Sequence, residues 1–191
     1  MGDPKIYPVG DSHAWHCWLH IPETAPFTCG PMTLYHVGLH KPFMMAKIPK
    51  DAIVCFCQGE VDCRCHVQKF PPHKECIDSL VAGYREAVKL NAVGRDPKKI
   101  WIYFVPPPAR KNPPENPSFP FLGTNEERLG WVKYMNAQNK KMCQEEGWTF
   151  VDIYDQYADS DGYMLTDMIA SADYIHVLNT KPLQEFIDAH S

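Results

Sequence analysis

The sequence lacks any apolar stretch long enough to cross a lipid bilayer. Its longest apolar run, 100–108, covers about half of the roughly 18 residues that a spanning helix needs. Basic residues are not in excess either, because 19 Lys and Arg stand against 23 Asp and Glu and give a formal net charge of -4. No stripe of Lys and Arg could follow a phosphate backbone. The sequence therefore predicts neither a membrane span nor a nucleic-acid partner.

The first nine residues lack the apolar core of a secretion signal, since Asp3, Pro4 and Lys5 interrupt them. Eight cysteines are present, but a chain of 191 residues buries enough surface to fold without disulfide staples. We therefore expect reduced thiols, a cytoplasmic location and a single domain that covers residues 1–191.

Strand-like and helix-like patterns alternate along the chain. Short runs typical of strands occur at 5–9, 27–29, 52–57, 100–105 and 148–153. Helical patterns occur at 15–21, 74–93, 124–146 and 182–189. The helix from 124 is the best marked, because Thr124 and Glu127 form a capping box and Gly147 ends it. This alternation predicts a mostly parallel sheet covered by helices on both faces, with a functional site at the carboxyl ends of the strands.

A proline-rich loop separates the fourth strand pattern from the long helix. Residues 106–123 contain seven prolines. Proline cannot donate to a sheet, so this segment is predicted to be a loop. A loop of this length is usually functional, and we expect it to face a substrate.

Two distant segments carry the residues of a nucleophilic site. Gly10-Asp11-Ser12-His13 follows the first strand pattern, so a turn there exposes the Ser12 hydroxyl. Asp173-Tyr174-Ile175-His176 offers an imidazole base and a carboxylate that could orient it. Each segment alone is a common turn sequence.

Together, the two segments resemble the blocks of the SGNH/GDSL hydrolase family. That family has Gly-Asp-Ser after its first strand, an oxyanion-binding Gly after the second, Gly-x-Asn-Asp after the third and Asp-x-x-His near the C-terminus. Ser12, Asp173 and His176 match the outer blocks, and Gly30 resembles the second, with Gly38 as the alternative. The resemblance implies an α/β fold: a three-layer α/β/α sandwich around a short, five-stranded parallel sheet in flavodoxin-like order.

The third block departs from the family pattern. Gly59-Glu60-Val61-Asp62 stands where Gly-x-Asn-Asp is expected, and Val61 cannot donate a hydrogen bond. One lost oxyanion donor costs about 3 to 4 kcal/mol of transition-state stabilisation, so Arg64 or His66 is expected to assist. The stretch 59–66 also resembles a variant third block of an SGNH-like branch that is often linked to glycan chemistry.

The resemblance implies a serine esterase that cleaves a small-molecule or glycan-borne acyl ester, with an O-acetylated carbohydrate as the favoured substrate and no cofactor. Ser12 would be the nucleophile, His176 the base and Asp173 its orienting carboxylate. The remaining residues expected in the oxyanion hole or substrate site are Gly30, Gly59, Arg64, His66, Asp11 and His13. An acyltransferase using the same site, or a weakened module that binds glycans or a partner, are the alternatives.

A zinc site is the competing hypothesis from a different class. Thiolate and imidazole side chains are concentrated at Cys55, Cys57, Cys63, Cys65 and His66. The C-x-C spacing argues against it, because alternate residues of a strand point to the same face, here into a core. His13, His16 and His20 form a second candidate cluster, since two of them are four residues apart on a possible helix.

Overall fold

The computed structural model describes residues 5–40, 48–111, 116–169 and 174–190. Five strands form one sheet: β1 (Ile6–Gly10), β2 (Phe27–Thr28), β3 (Ile53–Cys57), β4 (Ile100–Tyr103) and β5 (Thr149–Val151). The α-helices are α1 (Ser12–His16), α2 (Leu34–His40), α3 (Glu60–Cys65), α4 (His73–Asn91), α5 (Asn125–Glu146), α6 (Tyr154–Tyr157) and α7 (Lys181–His190). Among these ranges, no helix is both long and apolar enough to span a bilayer.

The sheet is parallel throughout, in the order β2-β1-β3-β4-β5. One hydrophobic cluster packs residues of α2, α4 and α5 against one face of the sheet, and a second packs α1 and α7 against the other. The predicted α/β/α sandwich with a flavodoxin-like strand order is therefore confirmed. All strands end at the same edge, which is where ligands bind in sheets of this kind.

Local signals set the ends of α5. The Thr124 hydroxyl accepts from the Glu127 N–H, and the Glu127 carboxylate accepts from the Thr124 N–H, which is the predicted capping box. Gly147 ends the helix in the left-handed conformation. Asn136 on this helix donates to the Val105 carbonyl at 2.8 Å and accepts from the Val105 N–H at 2.7 Å. Its amide therefore satisfies both backbone hydrogen-bonding groups just beyond β4.

The helix predicted at 15–21 is wrong in its position. Helix α1 begins at Ser12, because the Asp11 side chain accepts from the His13 N–H, and it ends at His16. Helices α2 and α3 had no counterpart in the sequence-based assignment. Helix α2 lies very close to α4, since a Cβ built on Gly38 would lie 3.3 Å from the Gly83 Cα.

The eight cysteines, all within the described ranges, form no disulfide with one another. Cys55 and Cys57 pack into the hydrophobic cluster next to α1, as the C-x-C spacing predicts. Cys63 belongs to the cluster on the opposite face of the sheet. The thiols of the proposed zinc site thus lie on two sides of the sheet, and the zinc hypothesis does not fit.

Candidate active site

The two ends of the chain meet at the carboxyl edge of the sheet. Strand β1 delivers Ser12 to the first residue of α1, and the half-buried Ser12 Oγ lies 2.8 Å from His176 Nε2. This is the hydrogen-bonding distance that a nucleophile and its general base need. As the first residue of a helix, Ser12 has a backbone N–H without an intrahelical acceptor.

Gly10 makes the turn before Ser12 possible. Its φ of +151° is rarely adopted by other residues, and a Cβ built on it would lie 2.0 Å from the Cys57 carbonyl oxygen. That carbonyl belongs to the neighbouring strand and cannot move without breaking the sheet. The turn can therefore sit tightly against β3 only with glycine at this position.

Asp11 and His13 form a buried pair below the nucleophile. Asp11 Oδ1 accepts from the His13 backbone N–H at 2.9 Å and lies 3.2 Å from the His13 ring Nδ1. The other ring nitrogen, Nε2, lies 3.3 Å from the Ile175 carbonyl oxygen. Burial lowers the pKa of His13, but the Asp11 carboxylate, Glu60 and the Ile175 carbonyl raise it, and the net pKa lies above its usual value.

The His176 ring, which contacts the Ser12 hydroxyl, packs beside two other histidine rings. The His176 ring centroid lies 4.8 Å from that of His13 and 4.2 Å from that of His16. The metal hypothesis for His13, His16 and His20 assumed that the last two share a helix turn. Helix α1 ends at His16, so that spacing is not helical.

The histidine segment, 174–178, contacts α1 through Ile175 and His176. Tyr174 has φ +55°, a left-handed conformation that is strained for a bulky residue. Val177 pairs with Ile169, and the Leu178 N–H donates to the Met168 carbonyl. Asp173, the predicted orienting carboxylate, lies outside the described residues.

The predicted oxyanion residues are only partly placed for that role. The Gly30 N–H donates to the Thr28 hydroxyl at 3.1 Å, so a substrate oxygen would have to compete for it. Val61 is buried and, as expected, has no side-chain donor. Gly59 allows close packing, because a Cβ at this position would lie 2.8 Å from Met135 Sδ.

Arg64 lines a pocket beside the histidine segment. Its guanidinium pairs with both carboxylate oxygens of Glu60 at 2.6 and 3.1 Å and donates to the Phe119 carbonyl at 2.8 Å. Burial lowers the pKa of Arg64, but Glu60, Cys65 and Asp11 raise it, so the net shift is upward. The pocket has a volume of about 30 Å³ and is lined by Glu60, Arg64, Phe121, Arg128, Tyr174, Ile175 and 106–109. The start of the proline-rich loop, 106–109, thus borders this pocket, and its role in facing a substrate stays a prediction.

His66 does not join Arg64. His66 lies just beyond the end of α3 and lines a separate groove of about 830 Å³ between α2 and α4. Burial, together with Lys69 and Arg64, lowers the pKa of His66. Arg64 and His66 thus line different cavities, and the role of His66 at the oxyanion stays a prediction.

The sequence analysis missed three groups that organise the site. Gln58, in the amide orientation that satisfies both ends, accepts from the Asp11 N–H at 3.1 Å and donates to the Met32 carbonyl at 2.7 Å. Asp62 Oδ2 accepts from the Leu34 N–H at 2.7 Å and so caps α2. Glu60, four residues before Arg64, could have been found from the helical spacing of opposite charges.

No protein-family model matches the sequence, and no curated protein matches it. Solved structures match over nearly the whole chain. A phospholipase A1 from Streptomyces albidoflavus has 12% identity and a TM-score of 0.64, with 100% of both chains covered. A GDSL-like lipase from Bacteroides thetaiotaomicron has 15% identity and a TM-score of 0.62, with 99% of this chain and 90% of that chain covered.

An acetylxylan esterase from Geobacillus stearothermophilus, solved as a catalytic mutant, has 12% identity and a TM-score of 0.63. The match covers 100% of this chain and 95% of that chain. At such identities the likeness concerns the fold. The chain has the α/β fold of the GDSL/SGNH lipases and esterases.

Proposed function

We propose that this chain is a serine esterase that cleaves small acyl esters, with O-acetylated carbohydrates as the favoured substrate class. The observation that carries the proposal is the 2.8 Å contact between Ser12 Oγ and His176 Nε2. It joins residues 164 positions apart in sequence at the carboxyl edge of the sheet.

The reaction follows from this contact. Ser12 Oγ attacks the ester carbonyl carbon while His176 Nε2 takes its proton, and the Ser12 N–H donates to the developing oxyanion. His176 then protonates the leaving alcohol, and an acyl-serine forms. Water attacks the acyl-serine with His176 as base, which releases the acid and restores the serine. Asp173 is proposed to orient the imidazole.

The position and polarity of the neighbouring pocket support the substrate class. Tyr174 and Ile175, which directly precede His176, line this pocket. The charged Glu60, Arg64 and Arg128 side chains offer hydrogen bonds to a polar alcohol such as a sugar. The acetylxylan esterase of the same fold is consistent with this choice.

A weakened site that binds an ester or a glycan is the second candidate. It is favoured by Val61, which has no donor, and by the Gly30 N–H, which is already bonded to Thr28. Two missing oxyanion donors would each lower kcat by about 100- to 1000-fold.

One experiment separates these candidates. A fluorophosphonate probe is applied to the wild type, to Ser12→Ala and to Ser160→Ala, an exposed serine outside the site. An esterase labels in the wild type and in Ser160→Ala but not in Ser12→Ala. Folded wild-type protein that does not label would refute the esterase and favour the binding module. Hydrolysis of p-nitrophenyl acetate, octanoate and acetylated sugars then tests the substrate class, and a preference for octanoate would contradict it.

A further inference from the structure

His13 is a buried titratable residue that the proposed reaction does not use. Only about 2% of its surface is exposed, and its ring lies between the turn after β1 and the histidine segment. Both ring nitrogens face acceptors: Asp11 Oδ1 at Nδ1 and the Ile175 carbonyl oxygen at Nε2. A carbonyl oxygen only accepts, so Nε2 carries a proton.

The Asp11 carboxylate accounts for the second proton. Its Oδ1 also accepts from the His13 backbone N–H, which an ionised carboxylate does well. A proton on Asp11 Oδ2 would find no acceptor, because that buried atom has no hydrogen-bond partner among the described residues. A doubly protonated His13 donates from both ring nitrogens, to Asp11 Oδ1 and to the Ile175 carbonyl oxygen, and so satisfies both acceptors.

The segment that His13 contacts is one that needs to be held. Tyr174, immediately before Ile175, lies in the left-handed region at φ +55°, and such strain persists only where surrounding contacts fix it. Further along, the Leu178 N–H bonds to the Met168 carbonyl. The Leu178 bond thus fixes the segment after His176, and the His13 contact to Ile175 fixes it before His176.

We propose that His13 is a positioning residue, an imidazolium that Asp11 holds in place and whose Nε2–H fixes the Ile175 carbonyl and thereby the His176 ring. The proposal rests on the proposed function, since it assigns His176 as the base. His13 does not touch the ester. It acts by keeping His176 Nε2 at hydrogen-bonding distance from Ser12 Oγ.

Because this positioning role depends on the charge of His13, it depends on pH. Within the described residues, the titratable groups that face it are Asp11, Glu60 and His176, and Arg64 lies beyond Glu60. As the pH rises through the raised pKa of His13, the ring loses a proton and one acceptor loses its donor. Activity should therefore decline on the alkaline side.

Two substitutions separate the two ring nitrogens. Gln at position 13 can present its amide near the Nε2 site and keep the bond to Ile175, whereas Asn reaches only the Nδ1 site. We expect His13→Gln to hydrolyse p-nitrophenyl acetate within about threefold of the wild-type rate, because the bond that positions His176 survives. His13→Asn should lower kcat on the order of 10- to 100-fold with little change in KM. His20→Asn, at an exposed position, is the matched control.

The pH profile and NMR complete the test. The alkaline decline should be present in the wild type and absent in His13→Gln. Imidazole ¹⁵N shifts of the full-length wild type should show both His13 nitrogens protonated at neutral pH, and the His176 signals should move in His13→Asn but not in His13→Gln. A neutral His13 ring, or equal activity in the two variants, would overturn the proposal.

Failure of the proposed function gives a different pattern. If the wild type does not react with the fluorophosphonate probe, the esterase assignment fails. The NMR measurements still decide the state and contacts of His13 in that case. If the wild type reacts and His13→Asn reacts at the same rate, the esterase stands and the positioning role is refuted.

Discussion

The buried carboxyl of Asp62 leads us to expect that the protein becomes less stable as the pH rises. Burial raises the pKa of its carboxyl from 3.8 to about 7, while the N–H groups of Leu34 and Tyr35 act in the opposite direction, and Asp11 and Glu60 add to the rise. The unfolded chain loses this proton near the ordinary pKa, whereas the folded protein keeps it to about neutral pH. A group whose pKa is raised on folding stabilises the protein below its unfolded pKa, and that contribution is lost as the pH approaches the folded pKa.

The magnitude follows from the size of the shift. The roughly three pKa units between the two states correspond to about 4 kcal/mol in the free energy of unfolding. Roughly 2.5 kcal/mol of this is lost between about pH 5 and pH 8, where the folded and unfolded states bind different numbers of protons. Asn matches the shape of the protonated carboxyl and does not titrate.

Urea unfolding of the wild type and Asp62→Asn across this pH range measures the effect. The free energy of unfolding of the wild type, relative to the variant, should fall by about 2 to 3 kcal/mol from pH 5 to pH 8. Asp155→Asn, at an exposed position, controls for a general charge effect. Its free energy of unfolding should vary with pH in the same way as that of the wild type. A difference between wild type and Asp62→Asn that does not vary with pH would refute the reasoning.

Three further substitutions test the fold around the site. Gly10→Ala should prevent a cooperative thermal melt, because the new Cβ would meet a backbone oxygen at 2.0 Å; a wild-type melt would contradict this. Asn136→Leu leaves the buried Val105 N–H and carbonyl unpaired and should lower the free energy of unfolding by about 2 to 4 kcal/mol in urea titrations. Thr124→Ala removes half of the capping box with Glu127 and should cost about 1 kcal/mol by the same assay; no change would mean that the cap is dispensable.

Local signals explain which elements the sequence reveals. The bounds of helix α5 were predicted within a residue or two, because the residues that cap it and end it lie directly at its two ends. Helix α2 was missed because its first amides are satisfied by Asp62, a residue 28 positions away. The start of α1 was misplaced because the side chain that caps it, Asp11, was assigned to the site and not to the helix.

Some features of the candidate site could likewise be predicted from the sequence, and others could not. The pairing of Ser12 with His176 follows from ordered motifs that resemble a known family, and periodicity alone could not have brought them together. The engagement of the Gly30 N–H depends on how the Thr28 hydroxyl is turned, which no sequence pattern specifies. His66 was grouped with Arg64 because the two are neighbours in sequence, but Arg64 lies within α3, whereas His66 lies beyond its end and lines a different groove.

The close approach of Gly38 to Gly83 has a consequence for the turn at Gly30. The two helices meet backbone to backbone, so no side chain between them can yield, and adding one methyl group would push α2 outward. Residues 31–33 connect that turn directly to α2 and would be dragged along. Gly38→Ala would therefore displace the turn at Gly30, the predicted oxyanion turn, from a position between α2 and α4.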